Sequence, residues 1–290
     1  MDFLRPDSLA EALAAKAEHA DAVPIAGGTD VMVELNFDHR RPAALLDLNR
    51  IVELHEHGHQ DGKIRIGAAV PYARIIAELG RELPGLAMAA RTVGSPQIRN
   101  RGSVGGNLGA ASPAGDSHPA LLAADAEVEI ASTRGTRLVP AKDFYTGVKR
   151  NVLAPDELIT AVHIAPATGA QQFSKVGTRN AMVIAVCAFG LALHPEQRRV
   201  GTGLGSAAPT PRPAVKAEEF IATELDWDSP KPLADSVLRR FGALVAEAAS
   251  PIDDVRGSAA YRRHALSVLA RRTLGWAWSE HLGGGQRACA

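Results

Sequence analysis

Apolar and polar positions change period several times along the chain, and each change marks an element. Leu9, Leu13 and Ala17 recur at helical spacing behind Ser8 and Glu11, a capping-box pair, so residues 8–18 are predicted to form a short helix. Val23-Pro24-Ile25-Ala26 reads as a strand running into Gly27-Gly28-Thr29-Asp30, after which Val31, Val33 and Leu35 fit a helix or a strand equally well. Residues 43–49 and 63–70 predict further strands, and helices are expected near 71–80 and 84–92. Alternation over Ala126-Glu127-Val128-Glu129-Ile130 predicts a half-buried strand with residues 133–138 as its hairpin mate, and Leu158 to Ile164 alternates again. Mixed short strands and helices in this order argue for an α+β domain. From Gln171 to Lys175 a second unit opens, with buried strands expected over Met182 to Leu193 and Val200 to Ser206. The remainder turns helical and ends in an amphipathic helix over Ala260 to Trp278, whose arginines 262, 263, 271 and 272 are expected to form a solvated basic face.

The stretch from Thr92 to Asp116 breaks both periods. It holds six glycines and two prolines and almost no bulky apolar residue, which predicts one long loop. Such a segment contributes little to a core and carries many backbone N–H groups that need partners, so it is expected to bind something. Specific polar residues, Gln97, Arg99, Asn100, Asn107 and Asp116, distinguish it from a flexible linker. The paired glycines at 27 and 28 end a strand and expose consecutive N–H groups, a concavity suited to a phosphate or diphosphate.

Composition removes several classes of function. Lysine plus arginine and aspartate plus glutamate both total 32, so no net charge favours nucleic acid or an acidic membrane. The longest nearly uninterrupted apolar run, Ala181 to Leu193, is short of the roughly 20 residues that span a bilayer, and the N-terminus lacks signal-peptide character. A cytoplasmic protein is expected. Two cysteines, Cys187 in an apolar run and Cys289, cannot build a disulfide framework, a zinc site or an iron–sulfur cluster, and Cys187 is expected to be a core thiol. His55, His57 and His59 alternate in what is expected to be a solvated hairpin tip, because nothing nearby supplies further metal ligands. Gly201-Thr202-Gly203-Leu204-Gly205 is not read as a dinucleotide fingerprint, since prolines 209, 211 and 213 follow where a helix would have to start.

Three motifs carry a resemblance that extends over nearly the whole chain. Gly94-Ser-Pro-Gln-Ile-Arg-Asn100, Gly102-Ser-Val-Gly-Gly-Asn107 and Ala111-Ser-Pro-Ala-Gly-Asp116 closely resemble the flavin-binding subunit of the molybdenum hydroxylases, the xanthine dehydrogenase and carbon monoxide dehydrogenase family. Pro24 to Asp30 is similar to that family's second flavin loop, and Leu204 to Pro211 to the hallmark of its C-terminal domain. The resemblance implies a PCMH-type FAD-binding domain of two α/β subdomains over residues 1–168. It also implies a smaller C-terminal domain, an antiparallel sheet with helices, over 169–280, and a flexible tail at 281–290. By resemblance, Ala26, Gly27, Gly28, Thr29, Asp30 and Val31 line the FAD diphosphate, and Ser103, Val104, Gly105, Gly106 and Asn107 the diphosphate and flavin side. Ser112 lies in the third motif, Asp116 is matched to a ribitol or ribose hydroxyl, and Ile159 and Lys175 lie near the isoalloxazine; Lys175 also fits a snorkelling surface lysine.

The family's extra cysteine-rich insert is missing here. Members of this length act with a molybdopterin large subunit and a small subunit carrying two two-iron two-sulfur clusters, so electrons are expected to enter from that small subunit. They would leave to NAD or a quinone, in a dimer of heterotrimers. The substrate of the complex is expected to be xanthine-like, with carbon monoxide, aldehydes and N-heterocycles as alternatives. A non-catalytic scaffold subunit and a stand-alone flavin oxidase are the readings of other classes.

Overall fold

The computed structural model describes residues 1–180 and 182–284. The chain begins with β1 (Asp2–Leu4), α1 (Leu9–Glu18), β2 (Val23–Ile25), α2 (Val31–Asn36) and β3 (Ala44–Asp47). Strands β1 and β2 both run parallel to β3 and form a small sheet of order β1-β3-β2. Ser8 caps α1 as the pattern predicts, its hydroxyl accepting from the Glu11 N–H while the Glu11 carboxylate accepts from the Asp7 N–H. Residues 31–36, undecided in the sequence, are helical, and this short helix buries no residue.

A second, antiparallel sheet follows, built from β4 (His57–Gln60), β5 (Lys63–Gly67), β6 (Glu127–Ser132), β7 (Gly135–Pro140) and β10 (Leu158–Ile164) in the order β4-β5-β10-β6-β7. Between β5 and β6 come α3 (Tyr72–Glu78), α4 (Pro84–Thr92), α5 (Pro96–Arg99), α6 (Val104–Ala110) and α7 (Ser117–Ala123). After β7 come α8 (Ala141–Phe144) and the small hairpin β8 (Tyr145–Gly147) and β9 (Arg150–Asn151). The expected hairpin tip at the histidines is instead the edge strand β4, with the turn at Asp61-Gly62. His57 and His59 pair with Glu78 and Glu82, and His55 with the Asn49 carbonyl, so the three rings diverge. Strand β10 alternates in sequence yet is buried at all seven positions. It is the central strand, packed by α6, with His163 and Thr160 turned onto the Glu129 carboxylate. Burial pushes that carboxyl up, but hydrogen bonds from Arg65, Thr160 and His163 outweigh it and hold it at about 2.

The single long loop expected from Thr92 to Asp116 is corrected: α5 and α6 lie within it. Each starts behind a serine, Ser95 or Ser103, whose hydroxyl accepts the N–H three residues on. These helices are too short and too rich in glycine to show an apolar period.

The second unit is the antiparallel sheet β11 (Gln171–Val176), β12 (Cys187–His194) and β13 (Arg199–Gly205), followed by α9 (Val215–Glu224), α10 (Asp235–Glu247) and α11 (Ala259–Ser279). The strand expected from Met182 begins only at Cys187, and Met182 and Ile184 are exposed. Cys187 is a core thiol whose pKa burial pushes up to about 12. Helices α9 to α11 cover one face of this sheet and α7 the other. Gly201, Gly203 and Gly205 share the latter face, and a Cβ on any of them would collide with Pro119 or Ala123 of α7. These glycines therefore serve close packing of a helix on a sheet. The basic face expected on α11 is corrected at Arg262, which is buried and held by Asp254 and the Ser206 carbonyl. The tail expected from residue 281 is structured over Glu280–Gly284, a π turn in which His281 stacks on Trp278; residues 285–290, with Cys289, lie outside the described residues.

Candidate functional site

A cleft of about 370 Å³ opens between the two glycine-rich segments. One wall is the turn from β2 into α2, another the start of α6, and the floor includes Leu54, Ala68, Ala69, Tyr72, Leu158 and Ile159. The volume and the mixture of apolar floor and main-chain donors suit a small-molecule or cofactor site.

Glycine is required at three points of these walls. Gly28 turns the chain at φ 73°, a region that L side chains rarely adopt. A Cβ on Gly27 would run into the Arg101 carbonyl, so the two segments meet main chain to main chain. A Cβ on Gly105 would lie 2.5 Å from the Ala68 carbonyl, to which the Gly105 N–H donates at 3.1 Å. Asn49, just beyond β3, fastens the junction: its amide donates to the Ala26 carbonyl at 2.9 Å, and its Oδ1 accepts from Arg101 at 3.1 Å. Sequence reasoning missed Asn49, because its partners are brought near only by the fold. Asp30 stands at the N-cap of α2 without a side-chain capping bond, and the Met32 and Val33 N–H groups close onto the Gly28 and Asp30 carbonyls.

Of the residues expected from sequence, Ala26, Gly27, Gly28, Thr29, Asp30, Val31, Ser103, Gly105, Gly106, Asn107 and Ile159 are brought together on the cleft wall. The remaining four are placed elsewhere. Val104 is fully buried in the core, and Ser112 closes a turn by accepting from the Ala114 N–H. Asp116 and Lys175 form an ion pair at 2.5 Å with side-chain exposures of 8% and 9%, and Thr92 also donates to the Asp116 carboxylate. Lys175 is therefore not a snorkelling surface lysine. Burial raises the Asp116 carboxyl above its ordinary range, offset only in part by Lys175 and Thr92, and its Oδ1 has no hydrogen-bond partner. An orphaned carboxylate oxygen of this kind is a place for a ligand hydroxyl to donate.

Beside this pair lies a second groove lined by Arg91, Arg99, Lys175 and Arg179 with Thr92, Ser95 and Asn180, and by no carboxylate among the described residues. No cluster of histidine, cysteine, aspartate or glutamate among the described residues has the arrangement of a metal site.

Fold and cleft define an α+β protein with a cofactor-sized cleft between two glycine-rich turns. Residues 1–167 match the family described as the FAD binding domain in molybdopterin dehydrogenase, and residues 172–277 that described as the CO dehydrogenase flavoprotein C-terminal domain. The chain belongs to this family of FAD-binding subunits of molybdenum-dependent dehydrogenases, and FAD is its cofactor. It is 31% identical over 284 residues to the xanthine dehydrogenase FAD-binding subunit of Escherichia coli O157:H7, covering 94% of both chains. It is 36% identical over 210 residues to the nicotinate dehydrogenase FAD-subunit of Eubacterium barkeri, covering 69% of this chain and 71% of that one. A crystal structure of Cu,Mo-CO dehydrogenase in its cyanide-inactivated form matches with a TM-score of 0.88 at 28% identity, over 96% of this chain and 98% of that one. The glycine cradle and the unpartnered Asp116 oxygen fit such a cofactor.

Proposed function

We propose that the chain is the electron-exit subunit of a molybdenum hydroxylase complex. The observation that carries this reading is the cleft, where two glycine-rich turns meet main chain to main chain and leave N–H donors for a diphosphate. The main chain from Ala26 to Val31 holds the diphosphate, with Ser103, Gly105, Gly106 and Asn107 on the flavin side and Ile159 beneath. Val104 contributes only its backbone. Asp116 accepts a ribitol or ribose hydroxyl on its free oxygen, and Lys175 opposes the rise that burial imposes on that carboxyl. Bound FAD supplies an isoalloxazine ring that takes up electrons and passes them on. The chain's own residues bind and orient it.

Electrons arrive from the iron–sulfur clusters of a small partner subunit, and hydroxylation takes place in a molybdopterin-binding large subunit. The xanthine-type relative, matched over nearly the full length of both chains, makes xanthine the lead substrate; nicotinate- and carbon monoxide-type relatives keep N-heterocycles and carbon monoxide as alternatives. The groove with three arginines, Arg91, Arg99 and Arg179, beside the Lys175–Asp116 pair favours an anionic dinucleotide, NAD, over a quinone as acceptor. The assembly is a cytoplasmic dimer of heterotrimers; no helix among the described residues is long and apolar enough to cross a membrane.

Gly28→Val tests the reading. A β-branched side chain at φ 73° costs about 1–3 kcal/mol before any clash with the cofactor, so FAD is expected to be lost. In the reconstituted complex, substrate should still reduce the molybdenum and iron–sulfur centres in one turnover while steady-state reduction of NAD collapses. Survival of NAD turnover in a variant shown to lack flavin would replace this reading with a scaffold.

A further inference from the structure

The phenol of Tyr72 is buried and its hydroxyl lies 3.1 Å from the hydroxyl of Ser117, which is itself fully buried; Ser117 in turn reaches Oδ1 of Asn107 at 2.7 Å. The dead end of this chain fixes its direction. Tyr72 has no other hydrogen-bond partner for its hydroxyl among the described residues, so its O–H donates to Ser117. A serine hydroxyl carries a single proton, so Ser117 must pass its own to Asn107. Asn107, a residue of the cleft wall, is thereby bound through its carbonyl oxygen, which leaves its NH2 to donate elsewhere. An asparagine without such a partner can present either end.

We propose that Tyr72 and Ser117 are positioning residues that lock Asn107 as a hydrogen-bond donor toward an acceptor atom of the cofactor. The proposal rests on reading the cleft as the FAD site. Tyr72 is the first residue of α3, where its N–H donates to the Gly102 carbonyl at 2.9 Å, and Ser117 is the first residue of α7. The relay thus ties the starts of two helices to the middle of α6, and burial keeps water from supplying a competing proton or lone pair. Burial also raises the Tyr72 phenol above its ordinary pKa, so its proton stays in place. FAD offers both acceptor and donor atoms. An amide held in one orientation discriminates between them, whereas a rotating amide does not.

The test is a double-mutant cycle on the full-length chain stripped of flavin, with FAD affinity read by titration and the visible spectrum of the bound flavin recorded. Asn107→Ala is expected to weaken binding roughly three- to tenfold, the range of one neutral hydrogen bond. Ser117→Ala should weaken it by a comparable factor and shift the flavin bands, and Tyr72→Phe, one step further away, by less. In the Asn107→Ala background, Ser117→Ala should have no further effect on affinity, because the group that it positions is gone. If the two losses multiply instead, Ser117 acts on the fold and the relay is overturned. Unchanged affinity in Asn107→Ala, with FAD still bound tightly, overturns the relay and leaves the cleft reading intact. Failure of the unaltered chain to bind FAD removes both.

Discussion

At the residue scale, the Asp116–Lys175 pair changes what an alanine scan should show. A surface carboxylate could be deleted without harm, but here the deletion would leave a lysine side chain 9% exposed with no counter-charge. Breaking a buried pair from one side typically costs about 3–5 kcal/mol. Asp116→Ala is therefore expected to lower stability by that order as well as FAD affinity. Adding Lys175→Met should recover much of the stability and none of the affinity. Thermal denaturation and FAD titration of the two variants check this, and equal stability of the single and double variants would show that the pair is not coupled. The chemistry of position 116 is legible in the sequence as the end of a glycine-rich motif. Its partner, 59 positions away, is not.

Among elements, α6 owes its position to two adjacent glycines with different roles. A Cβ on Gly105 would lie 2.5 Å from Ala68, against the core, whereas the nearest neighbour to a Cβ on Gly106 is the Ser103 hydroxyl at 3.3 Å. Gly105→Ala must therefore push α6 away from the segment after β5, at a cost of about 1–3 kcal/mol in stability. Gly106→Ala should leave the unfolding midpoint of the flavin-free chain nearly unchanged and weaken FAD binding, since the added methyl intrudes on the cleft that Gly106 lines. Equal behaviour of the two variants in both assays would contradict the separation. Element boundaries elsewhere were legible where one face is wet and one dry, as in α1. In β10 the bounds, Leu158–Ile164, were legible as well, but its burial on both faces was not, because that depends on neighbours distant in the chain.

For the whole molecule, the contact that matters joins the two units. Helix α7 carries Ser117 and follows directly on Asp116, and it is seated on the glycine face of β13. Further links are the Ser206 N–H to the Pro113 carbonyl at 2.8 Å and His194 to the Ala123 carbonyl at 3.0 Å. Gly203→Ala is expected to lift α7, lower the unfolding midpoint, and weaken FAD binding although residue 203 is not on the cleft wall. Calorimetry with and without FAD measures both effects, and a variant with unchanged FAD affinity would show that the second unit does not brace the site.

The sequence by itself determined the local backbone demands that a few residues spell out: the paired glycines that end β2, the serine cap before α1, and the alternation of β6. Each of these depends on a few consecutive residues, so each leaves a pattern that can be read in order. Only the tertiary structure decided which polar groups are paired. Asn49 joining the two loops, Arg262 buried on Asp254, and the direction of the Tyr72–Ser117–Asn107 relay all depend on residues from separate elements meeting where water is excluded. A linear chain records the identity of such groups and not their distances. Glycines 201, 203 and 205 show the same division, for their spacing is visible in the sequence, while the helix backbone that requires it becomes visible only in the fold.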